Sequence, residues 1–348
     1  MTADSTPVAE RRPVAEPRRE RSVPHAGWMV VARKEFADHI LSARFIVLLL
    51  ILGVVAAVPL YMTADVIRSS ASNASGGQAL FVALFWFTPP LPEALGQQGS
   101  LPSVAGFLGL VAPLLGLSFA FDAVNGERAQ GTLPRLLSQP IHRDDVINGK
   151  FAAGLSVIGL VIAAIVGLIG AVGILRLGLA PTAVELLRIV LWVLVTIVYV
   201  AMWLAFGMLL SVVVRRAATS ALIGFGIWFA VTFFGGLITG MIGGIFAPLQ
   251  GNAEEILRNN AMQETLNRLR PDILYAEASR ALLSPQVTDV STPATVGAYQ
   301  QAAERIPSLL SLDQSFILVW PQVVALVVIT VGCFALAYVQ FMRQEVRA

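Results

Sequence analysis

Residues 189–214 read IVLWVLVTIVYVAMWLAFGMLLSVVV, a stretch without a single Asp, Glu, Lys or Arg. A helix rises about 1.5 Å per residue, so this segment is long enough to cross a hydrocarbon layer of about 30 Å. Five further charge-free apolar stretches lie at 45–62, 104–121, 151–175, 221–248 and 316–341. Across the chain 56% of residues are hydrophobic and 13% charged, against roughly 25% charged in an average soluble domain. Inside lipid only a helix satisfies its own backbone polar groups along such a run. The sequence therefore predicts an all-α polytopic membrane protein with six transmembrane helices.

The charges between the spans predict the orientation. Residues 1–44 hold eight Lys and Arg, 122–150 hold four, 215–220 hold two, and two follow Phe341. The alternate set of segments, 63–100, 176–188 and 249–315, is longer in total and holds only the other eight. The denser set belongs in the cytoplasm by the positive-inside rule. An even number of crossings then puts both termini on that side of the cell membrane.

Residues 1–27 are rich in Arg, Glu and Pro and read as a disordered cytoplasmic tail, leaving 28–348 as the membrane domain. From Trp28 to Arg44, helical projection gathers Trp28, Met29, Ala32, Phe36, Ile40 and Ala43 on one side. Arg33, Lys34, Glu35, Asp38 and Arg44 fall on the other, with Val30, Val31 and Leu41 as apolar exceptions. Two readings stay open: an interfacial helix lying along the inner leaflet with Arg33 and Arg44 reaching headgroups, or a cytoplasmic extension of the first span. Leu80–Phe87, ended by Pro89 and Pro90, is too short to cross and reads as an aromatic anchor at the outer interface. In the 249–315 segment, Ala253–Leu269 and Asp272–Leu283 are expected as two helices separated by Pro271, followed by a Ser/Thr/Pro linker. Such a helical external loop either covers the mouth of the bundle or only connects the fifth and sixth spans. Gly236, Gly240 and Gly244 recur at every fourth position, a spacing that lets helices approach closely; the partner is another helix of this chain or a second subunit.

Several chemistries are disfavoured. The single cysteine, Cys333, rules out an intrachain disulfide. His25, His39 and His142 are scattered, so no metal site is expected, and no catalytic residue is assigned. Charge-free spans argue against an ion-coupled carrier, which places ionisable groups at membrane depth. No phosphate-cradling G-x-x-x-x-G-K-[ST] occurs, since Gly149-Lys150 runs into Phe151. If a nucleotide drives this protein, another chain must bind it.

Phe121–Lys150, FDAVNGERAQGTLPRLLSQPIHRDDVINGK, is predicted as an inner loop carrying a short helix through Leu133–Leu137, ended by Pro140. Leu133, Leu136 and Leu137 make an apolar edge beside Glu127, Arg128 and Arg135. That edge is either a docking surface for a soluble partner or a set of leucines dipping into the lipid interface.

This loop resembles the signature of ABC-2 type permeases, the membrane subunits of a class of ATP-driven exporters. The resemblance is carried by Glu127, Gly131-Thr132-Leu133, Leu136-Leu137, Pro140, Arg143 and Gly149-Lys150, with a departure at Pro134. Arg33-Lys34-Glu35-Phe36 resembles the family's interfacial elbow helix, with Trp28, Ile40 and Arg44 on the same segment. Leu274–Ala278 and Leu282–Pro285 resemble its external region. The chain looks closest to the branch containing the nitrous-oxide-reductase maturation permease. The resemblance implies a permease subunit that pairs with a second permease, identical or not, and docks on a separate ATPase through a short cytoplasmic coupling helix between spans two and three. Glu127, Arg128, Gly131, Thr132, Leu133, Leu136 and Leu137 would make that contact. ATP and Mg would be bound by the ATPase, and nucleic acid is not among the implied partners. The pathway would run between spans two and five. Competing classes are a non-transporting membrane scaffold or assembly factor and, less favoured, the ion-coupled carrier.

Overall fold

A computed structural model describes residues 27–73, 80–88, 101–132, 142–248, 252–283 and 311–343. The expected tail over 1–26, Pro89, Pro90 and the 284–310 linker lie outside them. The described residues are helical, without strands: α1 (Gly27–Ile40), α2 (Ala43–Asn73), α3 (Leu80–Trp86), α4 (Val104–Ala120), α5 (Asn125–Ala129), α6 (Arg143–Leu177), α7 (Ala183–Val213), α8 (Ala217–Phe229), a π-helical turn (Ala230–Phe234), α9 (Gly235–Phe246), α10 (Ala253–Asn267), α11 (Pro271–Leu283) and α12 (Leu312–Arg343). Six candidate membrane spans are long and apolar enough to cross, formed by α2, α4, α6, α7, α8–α9 and α12.

The apolar runs locate the spans, but capping chemistry sets their ends. α7 begins at Ala183, six residues before the charge-free stretch. Thr182 and Glu185 form a capping box there, with Glu185 Oε2 accepting from the Thr182 backbone N–H at 2.9 Å. Asp144 and Asp145 sit in the first turn of α6, where negative charge favours a helix start. The charge-free stretches stand as expected, but the helices run past them. The helices as folded carry buried Lys150 on α6 and buried Glu185 and Arg188 on α7.

α7 is the packing centre. Trp192, Tyr199, Val200, Leu204 and Met208 are buried along it, and α4 and α12 lie against it. α4 and α7 cross at Gly116 and Gly207. A Cβ on Gly116 would stand 2.7 Å from the Val200 carbonyl oxygen and 2.8 Å from the Leu204 nitrogen. Only a residue without a side chain permits that backbone approach.

The fifth span departs from expectation. It is broken by the π turn just before the Gly235–Gly236 pair, where the Arg270 guanidinium occupies the space a side chain would need: a Cβ on Gly235 would lie 2.7 Å from Arg270 Nε. Only 11% of its most apolar stretch is buried within the chain, against 61% for α7. Gly240 and Gly244 have nothing within 4 Å of an added Cβ. Among the described residues, then, only Gly236 of the row meets another element closely, at Arg270.

Leu80–Trp86 is also corrected. Phe81, Val82, Leu84 and Phe85 are buried rather than facing an interface, and the Phe81 N–H donates to Glu185 Oε1 at 3.0 Å. Pro271 does not separate the two helices of the external segment. It opens the second one, at the position where a missing N–H costs nothing.

Candidate functional site

The candidate site is the loop end of the bundle, where α5 emerges between α4 and α6. Ser211 near the end of α7 holds its base: the hydroxyl oxygen accepts from the backbone N–H groups of Val124 at 3.0 Å and Asn125 at 3.3 Å. The Asn125 amide donates to the Val214 carbonyl at 3.3 Å. α5 then ends in a Schellman motif, with Thr132 N–H donating to Glu127 O and Gly131 N–H to Arg128 O. The motif requires a left-handed residue, and Gly131 takes φ +67°. It thereby closes α5. Ala129, Gln130, Gly131 and Thr132 are exposed, and Arg128 is partly so. Leu133, Leu136 and Leu137 lie outside the described residues.

Glu127 points inward. Its Oε1 accepts from Lys150 Nζ at 2.7 Å, and Lys150 also reaches Glu35 Oε1 on α1 at 3.1 Å. The Lys150 side chain is only 5% exposed, so its removal would leave the Glu127 and Glu35 carboxylates without the counter-charge they share, a destabilising change. Burial alone would raise the Glu35 carboxyl, but the Lys150 and Lys34 ammonium groups and their hydrogen bonds outweigh it and hold the group below its ordinary value. His39, one turn further along α1, packs tilted against Phe119 with ring centroids 4.9 Å apart. Burial pushes its pKa down, Lys150 adds to that, and Glu35, Asp122 and Asp38 resist it.

The elbow segment is helical but ends at Ile40, and Ser42 caps the next helix by accepting from Phe45 N–H at 3.2 Å. The face of α1 turned to the protein includes Val31, Glu35 and His39 beside Phe36 and Ile40 of the projected apolar sector. α1 lies so close across α6 that a Cβ on Gly149 would meet Val31 Cβ at 2.6 Å. Trp28 N–H donates to Asp145 Oδ1 at 3.0 Å. The Trp28 and Arg33 side chains are exposed, while Phe36 and Ile40 pack partly against the core. Arg44 belongs to α2 and is committed within the chain, 2.7 Å from Asp122 and over the Phe121 ring. Around these groups lies a polar cavity of about 240 Å³, walled by Lys34, Asp38, Asp122, Gln130 and Lys150 among others.

A second cavity of about 410 Å³ opens at the far end, between Trp86 of α3, Gly106 and Leu110 of α4, Thr232 of the π turn and Asp272 and Tyr275 of α11. Its walls are mostly apolar. Tyr275 stacks on Tyr199 at 4.6 Å, and Trp192 donates to Ser279 Oγ at 3.1 Å, so α11 is fastened to α7. On the other side α10 is tied to the fifth span by Gln263, whose amide donates to the Ala247 carbonyl at 2.7 Å.

Sequence reasoning did not find Lys150, Glu35 or Ser211 as members of the site. The available signal was the spacing of Val31, Glu35 and His39 at four-residue intervals, one helix face that the apolar projection treated as solvated.

The pattern of the ABC-2 family transporter proteins matches residues 29–346. The chain belongs to that family. Among curated relatives, the probable ABC transporter permease protein NosY of Stutzerimonas stutzeri is 28% identical over 204 residues, 57% of this chain and 64% of the relative. The probable ABC transporter permease protein NosY of Pseudomonas aeruginosa is 40% identical over 81 residues, 21% of this chain and 27% of the relative. The matched stretch thus spans less than two thirds of either relative's length. Family membership agrees with the six apolar helices in making this a multi-pass membrane protein of the transporter class.

Proposed function

We propose that this ABC-2 chain is the permease subunit of an ATP-driven exporter, a transport subunit rather than an enzyme, working with a separate ATPase and a second permease subunit in the cell membrane. Both termini and the α5 loop lie in the cytoplasm, as the density of Lys and Arg on those segments supports. The observation that carries the reading is the shape of the loop. Its base is fixed by Ser211, Lys150 and Arg44, while Ala129–Thr132, which follow, are exposed. A rigidly rooted, exposed turn is suited to receive force from a docked partner. Gln130, Gly131 and Thr132, followed by the leucines Leu133, Leu136 and Leu137, would meet the ATPase, and Mg and ATP would be held on that chain. Trp28, Arg33 and Phe36 would place α1 at the membrane surface.

The cargo would pass between α4 and the fifth span toward the far-end cavity, whose mostly apolar walls suit an amphipathic compound better than a bare ion. The reading is tested by affinity purification of the tagged permease from membranes that also contain the ATPase made alongside it. Stable recovery of the ATPase, lost on Gly131→Val because a β-branched residue cannot hold a positive φ, is the expected result. Recovery of the permease without any nucleotide-binding chain would overturn it and favour a scaffold.

A further inference from the structure

Lys150 is the one described residue whose charged atom contacts both α1 and the loop helix from a transmembrane helix. Its ammonium lies 2.7 Å from Glu127 of α5 and 3.1 Å from Glu35 of α1, almost completely shielded from water. The two sides of this junction differ. α1 is bound to α6 continuously, by Trp28 on Asp145, by Val31 packed on Gly149 and by Glu35 on Lys150. These contacts make α1 and the start of the third span one body. α5 instead grows from the end of α4 and is rooted on α7 through Ser211. It reaches the α1–α6 body through the Glu127 carboxylate, whose other oxygen is buried without a hydrogen-bond partner.

We propose that the Glu127–Lys150–Glu35 triad is a mechanical latch that passes displacement of the loop to α1 and the third span together, with Lys150 as its positioning residue. Such a role presupposes the ATPase docking proposed above. The physical basis is asymmetric cost. A short charge-assisted hydrogen bond to a buried ammonium resists separation, because pulling Glu127 away strips that ammonium of one of its two counter-charges. α5 can therefore move only by carrying Lys150, or by releasing it to Glu35 alone. Glu127 acts in this scheme as a transmission residue behind the docking surface, not as part of it.

The test uses the full permease–ATPase complex in nanodiscs, in a Cys333→Ser background. Spin labels are placed at Gln130→Cys or Ala37→Cys, each paired with Leu257→Cys on α10, and distances are read with and without ATP plus vanadate. In the unaltered triad both distances should shift. With Lys150→Met the Gln130 distance should still shift while the Ala37 distance stays fixed, and Lys150→Arg should restore the second shift. If Lys150→Met does not assemble, Glu127→Gln is read in the same way, since it keeps the size of the side chain and removes the charge. Equal shifts at Ala37 with and without the intact triad would overturn the latch while leaving the docking reading intact. No shift at Gln130 in the unaltered complex, or no ATPase in it, would overturn the docking reading and the latch with it.

Discussion

Replacing Gly116 by Ala perturbs the crossing on which the bundle is built. The new Cβ would sit 2.7 Å from Val200 O and 2.8 Å from Leu204 N, and both are backbone atoms of α7, so no rotamer change can relieve the clash. Bringing the nearer contact out to an ordinary 3.4 Å requires the two helices to part by about 0.7 Å. A gap of that size forfeits about a third of the attraction of each facing atom pair. For about 40 pairs at about 0.15 kcal/mol, the loss is about 2 kcal/mol. The usual gain of about 1 kcal/mol for Gly→Ala in a helix offsets little, because both folded and unfolded chains remain helical in a micelle. The net destabilisation should be about 1–2 kcal/mol. The assay is the folded fraction across an SDS titration in mixed micelles, with Gly226→Ala as the control, since Gly226 has nothing within 4 Å of an added Cβ. Equal midpoints for Gly116→Ala and the unaltered protein would refute the close α4–α7 approach.

Other outcomes follow from the same structure. Tyr275→Phe removes a hydroxyl that shares a hydrogen bond with Thr196 at 3.3 Å and donates to Ala105 O at 3.4 Å but keeps the stack on Tyr199; it should cost about 1 kcal/mol, whereas Tyr275→Ala should cost about 3–5 kcal/mol, both read as shifts in the same titration. His39 is held below its ordinary value, so the folded state prefers the neutral ring. Its stabilisation is complete above a pH of about 6.5 and is lost as the pH falls toward the depressed folded value. Melting temperature should therefore drop from pH 7.5 to pH 5, and His39→Gln should flatten that dependence. Gly240→Leu should leave the stability of the single chain unchanged, because no described residue stands within 4 Å of an added Cβ, yet lower the yield of paired permeases on size-exclusion chromatography; unchanged pairing would show that the glycine row is incidental.

The spans were legible because the bilayer imposes a requirement on each segment separately: some twenty residues without charge. No tertiary information is needed to see 189–214 or 316–341. What escaped was decided by partners distant in sequence. Val31 and Glu35 look misplaced on a helical projection of α1 alone and make sense only against Gly149 and Lys150 of α6, more than a hundred residues away. Lys150 entered the sequence reading only as part of the Gly149-Lys150 pair, since its contacts with Glu127 and Glu35 join residues far apart in the chain. The break in the fifth span lies beside Gly235, where Arg270 fills the space, a contact with another element that no local pattern announces. Gly131 was legible as a special backbone position, but not as the cap of α5, because a five-residue helix leaves no periodic trace.

The location of the α5 turn bears most directly on the whole account. In a Cys333→Ser chain with a single cysteine at Gln130, sealed inside-out vesicles should react with a membrane-impermeant maleimide and right-side-out vesicles should not, with a cysteine at Leu257 giving the opposite pattern. Labelling of Gln130 from outside the cell would contradict a loop that takes force from a cytoplasmic ATPase.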